Sequence, residues 1–393
     1  MDRFSGYIEG FYGRMLSWDE RRFLCDCLAS LSLNTYVYAP KEDPFHRAFW
    51  RTPYPSSWIG EFRKFNKHAA LRNIRLIPCI APGLSFDYTS RSDFSTLMKK
   101  LSAFADCGCQ SVGLLMDDIP QTLPNKRRGH FSSLGQAHGL LLTCLLSDLR
   151  KKHRKLRLWF CPTVYTDQFA PQGIDNCGYL NDLAAAIPEE VQVLWTGQSV
   201  ISQRLDKNAL AGVLRLFNGN IVVWDNLYAN DYCPHRLFAG PYAGRSRSLF
   251  DVASGVLLNP TGMPHTDSLL LAVLAAFNRG VPPEQGWRIA ARKSEVDPAF
   301  HTVSRFFAPP HSPGRSDKLT KANIVRYRKA LHHLIGEWKS PLQREWYPFL
   351  YMLDTDLALI QKPVGARDTN KWIAKKYSPV LSTILSSGKR SWV

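Results

Sequence analysis

No stretch of about 18 uncharged apolar residues occurs in the chain, which excludes a membrane-spanning helix. The N-terminus, Met1-Asp2-Arg3, runs into a strand-like segment without the charged, apolar and small-residue zones of a signal peptide, so a soluble, cytoplasmic protein is expected. H-E-x-x-H is absent, and the closely spaced cysteines, Cys25 with Cys27 and Cys107 with Cys109, stand at C-x-C rather than the C-x-x-C of zinc sites. No metal and no cofactor is expected. The nine cysteines are an odd number, with Cys79 and Cys161 inside strand-like runs, which fits reduced, buried thiols better than a disulfide framework. Acid is the scarcer charge: 33 Asp and Glu against 50 Lys and Arg, a formal net charge of +17. Phosphate binding is the first reading of such an excess, yet no RNP, zinc-finger or helix-turn-helix signature goes with it. The two basic clusters, Lys126-Arg127-Arg128 and Arg150 to Lys155, read more plainly as a solvated loop and the end of a long helix, where cations favour the negative end of the dipole. A nucleic-acid partner is therefore not expected.

What the chain does have is alternation. Its 393 residues, 45% of them hydrophobic, suffice for one large domain and a smaller one. Apolar runs of strand length fall at Phe4–Phe11, Asn34–Pro40, Ile74–Pro82, Ser111–Ile119, Leu156–Tyr165, Val191–Gly197, Asn220–Tyr228 and Gly255–Thr261. Helix-period segments separate them at Ser17–Leu31, Ser57–Arg72, Asp93–Asp106, Ser132–His153, Gly178–Ile187 and Ser202–Leu214, with Thr266–Asn278 after the last strand. Several open on Ser or Asp, which suit an N-cap. Strands that are apolar throughout argue for a parallel sheet covered on both faces, and eight such units close into a (β/α)8 TIM barrel; an open doubly wound sheet is the alternative. The expected division is a catalytic barrel over 1–280 and a C-terminal α-helical domain over 281–393.

The polar residues decide between the two. A barrel enzyme gathers its chemistry at the C-terminal ends of its strands, and seven of the eight runs end in a polar or aromatic group: Glu9 to Gly13, Lys41, Asp117-Asp118, Tyr165, Trp195-Thr196-Gly197, Trp224-Asp225-Asn226 with Asn230-Asp231, and Asn259. Such a rim suits a sugar, whose apolar face stacks on aromatics while its hydroxyls take directional hydrogen bonds. Most informative is the pair Asp117-Asp118 after Ser111–Met116. Two acids together in a low-dielectric site resist joint ionisation, so one is expected to hold a proton beside an ionised neighbour, as acid/base chemistry at a glycosidic bond requires. A helix N-cap or turn is the plain alternative for an Asp-Asp step. Neighbouring strand residues point to opposite faces, so the two converge only if the backbone turns there.

Eight stretches occur in the order found in glycoside hydrolase family 84: GFYGR from Gly10, NTYVYAPK from Asn34, LMDDI from Leu115, FCPTVY from Phe160, LWTG from Leu194, WDNLYANDY from Trp224, RLFAGPYAGRS from Arg236 and LNP from Leu258. Over residues 4 to 278 the chain resembles that family, the β-N-acetylglucosaminidases that include bacterial hexosaminidases and protein O-GlcNAcases. The resemblance implies a retaining mechanism in which the substrate's 2-acetamido oxygen attacks the anomeric carbon to give an oxazoline. Asp117 would hold the acetamido N–H, Asp118 would be the general acid and then the base, and Tyr165 would hydrogen-bond the acetamido group. Gly10, Lys41, Asn226, Asp231 and Asn259 would line the pocket, with Trp224 as an apolar wall. Family members often carry an extra α/β domain before the barrel, whereas this chain begins almost at strand one. Met116 ahead of the acid pair is an apolar variation.

Beyond Val281, punctuation at Pro309 to Gly314 marks a linker, and helices are expected at Asp317–Lys339, Gln343–Gln361 and Asp368–Ser386. They read as a small bundle packed on the barrel, or as a surface for the aglycone or for a homodimer. His332-His333 face different directions on a helix and read as packing rather than metal ligands. The expected activity is exo-acting removal of terminal β-linked GlcNAc from a glycoside or glycoprotein, with O-GlcNAc on Ser or Thr as one substrate. The alternatives are a catalytically silent GlcNAc-binding protein and an endo-acting hyaluronidase.

Overall fold

Eight parallel strands close on one another in sequence order: β1 (Phe4–Glu9), β2 (Thr35–Tyr38), β3 (Arg75–Ile80), β4 (Ser111–Leu115), β5 (Arg157–Cys161), β6 (Gln192–Trp195), β7 (Ile221–Asp225) and β8 (Gly255–Leu258), with β8 paired back to β1. The structure is a computed structural model that describes residues 3–123, 130–310 and 320–360. The basic cluster Lys126-Arg127-Arg128, the linker residues His311 to Gly314 and the helix expected at Asp368–Ser386 lie outside the described residues. Closure leaves no sheet edge, which is why these strands can be apolar on both faces: β2, β7 and β8 are buried at every position. Ile8, Val37, Ile77, Leu115, Leu194 and Val222 meet in the interior with Trp159 and Trp224, each large side chain contributing about 1.5–3 kcal/mol on leaving water. Gly6 is set by sheet pairing: a Cβ there would stand 2.0 Å from the Thr35 carbonyl oxygen.

Helices α1 (Trp18–Ser30), α2 (Ser56–Ala70), α3 (Arg91–Asp106), α4 (Leu134–Lys152), α5 (Gly178–Ala186), α6 (Ala211–Leu216) and α7 (Leu249–Val252) connect the strands. Ser17 caps α1 in a reciprocal box with Glu20, and Ser90 and Ser133 cap α3 and α4. Three cations of the basic cluster at the end of α4 are paired, Arg150 with Glu190 at 2.5 Å, Lys151 with Asp148 at 2.5 Å and Lys152 with Asp106 at 2.6 Å. One helix departs from expectation. Of the Ser202–Leu214 segment only the part from Ala211 is helical, α6 running on to Leu216, because Ser202 Oγ donates to the Thr196 carbonyl at 2.9 Å and Leu205 bridges to Arg245, which holds the earlier stretch as turns. Every strand is also shorter than its apolar run, and the residues left over form the loops that carry polar groups.

Packing divides the chain into two compact units rather than at a single cut: Met1–Asn226 with Arg245–Gly262, holding the whole barrel, and Leu227–Gly244 with Met263–Val393. The second holds α8 (Pro264–Asn278), α9 (Pro283–Lys293), α10 (Phe300–Val303), α11 (Lys321–Gly336) and α12 (Pro341–Ile360). Helix α9 was not expected; Pro282-Pro283 at its start is the signal that could have marked it. Glu345 of α12 accepts from the His265 and Thr266 amides at 2.9 and 2.8 Å, placing a carboxylate on the otherwise uncapped start of α8. Trp346 packs on Phe300 and donates to Thr266 Oγ1 at 2.9 Å. His333 lies between Asp297 and Glu337, and His332 pairs with Asp354, so the two histidines serve separate carboxylates.

Candidate active site

The ladder's last rung beside the acid pair is the Met116 amide on the Cys161 carbonyl at 2.8 Å. At Asp118 the backbone then turns to φ 57°, a left-handed conformation that Asp and Asn tolerate better than other side chains with a Cβ. This turn brings two consecutive carboxylates to one group of partners. Lys41 Nζ, three residues beyond β2, donates to Asp117 Oδ2 at 2.5 Å and stands 5.7 Å from the centre of the Tyr12 ring, while the Tyr12 hydroxyl donates to Asp118 Oδ2 at 2.6 Å. Burial is unequal. The Asp117 side chain is 10% exposed and Lys41 3%, whereas Asp118 is exposed, so the expectation of a buried pair holds for Asp117 alone. Asp117 Oδ1 is buried and has no hydrogen-bond partner among the described residues. A buried carboxylate oxygen left so would cost stability unless a donor from elsewhere completes it.

Tyr165, four residues beyond β5, donates to Asp118 Oδ1 at 3.2 Å. Its own carbonyl is held by the Thr196 amide at 2.9 Å, which gives the rim residue Thr196 a positioning part. Thr163 ties the two loops together: its Oγ1 donates to the Met116 carbonyl at 2.7 Å and its amide donates to the Tyr179 hydroxyl at 3.0 Å. The Tyr179 hydroxyl also stands 2.9 Å from His138 Nδ1, and His138 Nε2 stands 2.8 Å from the Tyr88 hydroxyl, so both ring nitrogens are held. Burial pushes His138 down to about 3, and this scaffold histidine stays neutral.

The phenols are donors at neutral pH. Burial drives Tyr12 up to about 12, a rise that Lys41 opposes and Asp118 reinforces; burial followed by Asp118 and Asp117 drives Tyr165 well above its ordinary range. Burial alone would lower Lys41, but Asp117 overrides it and the ammonium is held above its usual range.

A second cluster lines the same lip. Trp224 Nε1 and Asn259 Nδ2 both donate to Asn226 Oδ1 at 2.9 Å, Asn226 Nδ2 donates to the Val200 carbonyl at 2.9 Å, and Asn259 Oδ1 accepts the Gly10 amide at 3.2 Å. Gly10 is required here, because a Cβ would stand 2.4 Å from the Trp224 ring. The Gly10 to Tyr12 segment joins this cluster to Asp118, so Gly10, Lys41, Asp117, Asp118, Tyr165, Trp224, Asn226 and Asn259 are brought to the C-terminal ends of the strands. Asp231 belongs to the second unit, where its Oδ1 accepts the Tyr232 amide at 2.9 Å.

Two contributors were not singled out from sequence. Tyr12 stood inside the GFYGR stretch without a role, and Arg47, which donates to the Tyr12 hydroxyl at 2.6 Å, is a loop arginine with no local signal of its own. Among the described residues no three His, Cys, Asp or Glu side chains gather as a metal-ion site, and no helix is long and apolar enough to cross a membrane.

The sequence model of a family described as beta-N-acetylglucosaminidase matches residues 5–307. Protein O-GlcNAcase of Rattus norvegicus and that of Mus musculus are each 35% identical over 255 residues, which cover 65% of this chain and 28% of each relative. The chain thus matches little more than a quarter of these relatives' length. Among solved structures, an O-GlcNAc hydrolase variant of Thermobaculum terrenum superposes with a TM-score of 0.81 at 23% identity, covering 98% of this chain and 95% of that one; at this identity the likeness speaks for the fold.

Proposed function

Because the chain belongs to the beta-N-acetylglucosaminidase family, we propose that it is a retaining, exo-acting glycoside hydrolase that removes terminal β-linked GlcNAc by substrate-assisted catalysis. The observation that carries the reading is Asp117, with one oxygen taken by Lys41 and the other buried without a partner, beside an exposed Asp118. A 2-acetamido N–H donated to Asp117 Oδ1 would complete that carboxylate and turn the acetamido oxygen toward the anomeric carbon. Asp118 would protonate the departing glycosidic oxygen as the C–O bond breaks and the oxazoline closes, the nitrogen proton passing to Asp117 and returning when the ring opens. Asp118 would then take a proton from the water that opens the oxazoline, regenerating the acetamide with retained configuration. Tyr165 would donate to the acetamido group, and Trp224, Gly10, Lys41, Asn226 and Asn259 would shape the sugar pocket, with Asp231 as a further hydroxyl ligand.

GlcNAc on protein Ser or Thr is the proposed natural substrate class, and the proposed location is cytoplasmic. The division into a catalytic barrel over 1–280 and a helical domain over 281–393 is proposed with it as a functional division by topology, distinct from the two compact units, which group α8 with the later helices. Pairing of two copies through the C-terminal helices is part of the same reading, supported by the exposed, stacked Tyr347 and Tyr351 of α12.

The test is hydrolysis of a chromogenic β-GlcNAc glycoside and its N-fluoroacetyl analogues. Rates should fall progressively as fluorine weakens the acetamido oxygen as nucleophile, and Asp117→Asn should lose most activity. A flat response across the series, or an Asp117→Asn enzyme as active as wild type, defeats the mechanism. Saturable sugar binding without turnover would instead mark a silent glycan-binding protein, and oligosaccharide products an endo enzyme.

A further inference from the structure

We propose that Arg47 and Tyr12 form a positioning couple that fixes the plane of the Asp118 carboxyl; this rests on Asp118 being the acid and base proposed above. A phenol has one proton and two lone pairs, and a guanidinium can only donate. Arg47 Nη1 stands 2.6 Å from the Tyr12 oxygen, and that oxygen stands 2.6 Å from Asp118 Oδ2. Arg47 therefore fills a lone pair of Tyr12 and leaves the phenolic proton for Asp118. Tyr165 donates to the other oxygen at 3.2 Å, so both oxygens of Asp118 are held by phenols.

The bond-breaking step and the water step use the same carboxyl, so donors on both of its oxygens fix its plane for both. The loop that carries Arg47 is itself braced: Lys100 donates to the carbonyls of Phe45, Trp50 and Thr52 at 2.5, 2.7 and 2.8 Å, and the His46 carbonyl accepts the Ala81 amide at 2.9 Å. The groups facing Asp118 are the cations Arg47 and Lys41, the anion Asp117, the phenols Tyr12 and Tyr165, and the thiol Cys161. Lys41 is occupied by Asp117, which leaves Arg47 as the cation that reaches Asp118 through Tyr12.

The readout is the dependence of turnover on the leaving group, which separates acid assistance from folding and binding. Tyr12→Phe and Arg47→Met should each lower kcat by about tenfold on a glycoside with a poor leaving group and by about twofold or less on an activated aryl glycoside, with KM little changed. Arg47→Lys, which keeps a charge and a donor, should recover part of the loss, and supplies the test should Tyr12→Phe misfold. Asp118→Asn should show the same selective loss in larger measure. A selective loss in Asp118→Asn with none in Tyr12→Phe and Arg47→Met overturns the couple alone. An Asp118→Asn enzyme that loses turnover equally on both glycosides, or on neither, removes Asp118 as the acid and takes both readings with it.

Discussion

Two ion pairs stand on the same barrel, and they are built to different ends. Glu9, the last residue of β1, meets Arg21 of α1 at 0% and 1% exposure. Both its oxygens are filled twice: Oε1 by Arg21 Nη2 at 2.8 Å and the Leu16 amide at 3.4 Å, Oε2 by Arg21 Nε at 2.9 Å and the Tyr36 hydroxyl at 2.8 Å. Trp18 and Tyr38 flank the guanidinium at 4.7 and 4.9 Å from their ring centres. Lys41 and Asp117 are nearly as dry, yet only one oxygen of Asp117 is engaged among the described residues. Both pairs avoid an isolated buried charge. Only the second keeps an acceptor in want of a donor, and under the proposed function that is what separates a pair that holds the fold from one that would receive a ligand.

Exchanging acids for amides in the two regions breaks the comparison if anything can. Asp118→Asn should lower kcat by about 10²–10⁴-fold on a glycoside with a poor leaving group, with thermal stability kept, because the residue is exposed and Asn accepts its backbone. Glu9→Gln should do the reverse. It leaves the Arg21 charge buried and unpaired, at a cost of about 3–5 kcal/mol seen in denaturant melts, while molecules that remain folded keep most of their specific activity. A Glu9→Gln protein that melts like wild type but is inert would erase the distinction.

The closed region was the more legible in sequence and the open one the less. Strands β1 to β8 could be read because their interior is written as continuous apolar runs, and Asp117-Asp118 because a carboxylate pair at a strand end is a local pattern. Helix α6 was overdrawn because the bonds that hold Ser202 and Leu205 out of a helix come from Thr196 and Arg245, and the second of these lies some forty residues away in the chain. Arg47 was invisible for the same reason, since its meaning depends on Tyr12, 35 positions away. Lys41 was expected among the pocket's hydrogen-bonding groups; its pairing with Asp117 is created by the sheet, which sets β2 and β4 on either side of β3.

Acid should expose the closed region next. Burial holds His138 at about 3, and burial assisted by Lys41 holds His46 at about 3, both from the usual 6.5. Between those values the unfolded chain binds protons that the folded chain refuses, so stability rises with pH across the interval and is lost as pH falls from 6.5 toward 3. Each histidine should contribute a slope of about 1.4 kcal/mol per pH unit. Urea melts at pH 7 and pH 5 would measure it, and His138→Gln should remove about half of the histidine contribution. Equal stability at the two pH values would mean that these imidazoles are not held neutral by the core.

The smallest effect is at the backbone of Asp118 itself. Glu9 lies in an ordinary strand, whereas Asp118 sits at φ 57°, where a residue with a Cβ and no polar side chain is strained by roughly 1 kcal/mol. In a stability series at this position, Gly should equal or slightly exceed Asn, and Ala should fall about 1 kcal/mol below both, with all three variants impaired in turnover on a poor leaving group. The ordering isolates backbone from charge, because all three replacements lack the carboxylate and differ in their tolerance of a left-handed turn. Were Ala as stable as Asn, the turn that brings two consecutive acids to one set of partners would carry no strain, and the open region would be as relaxed as the closed one.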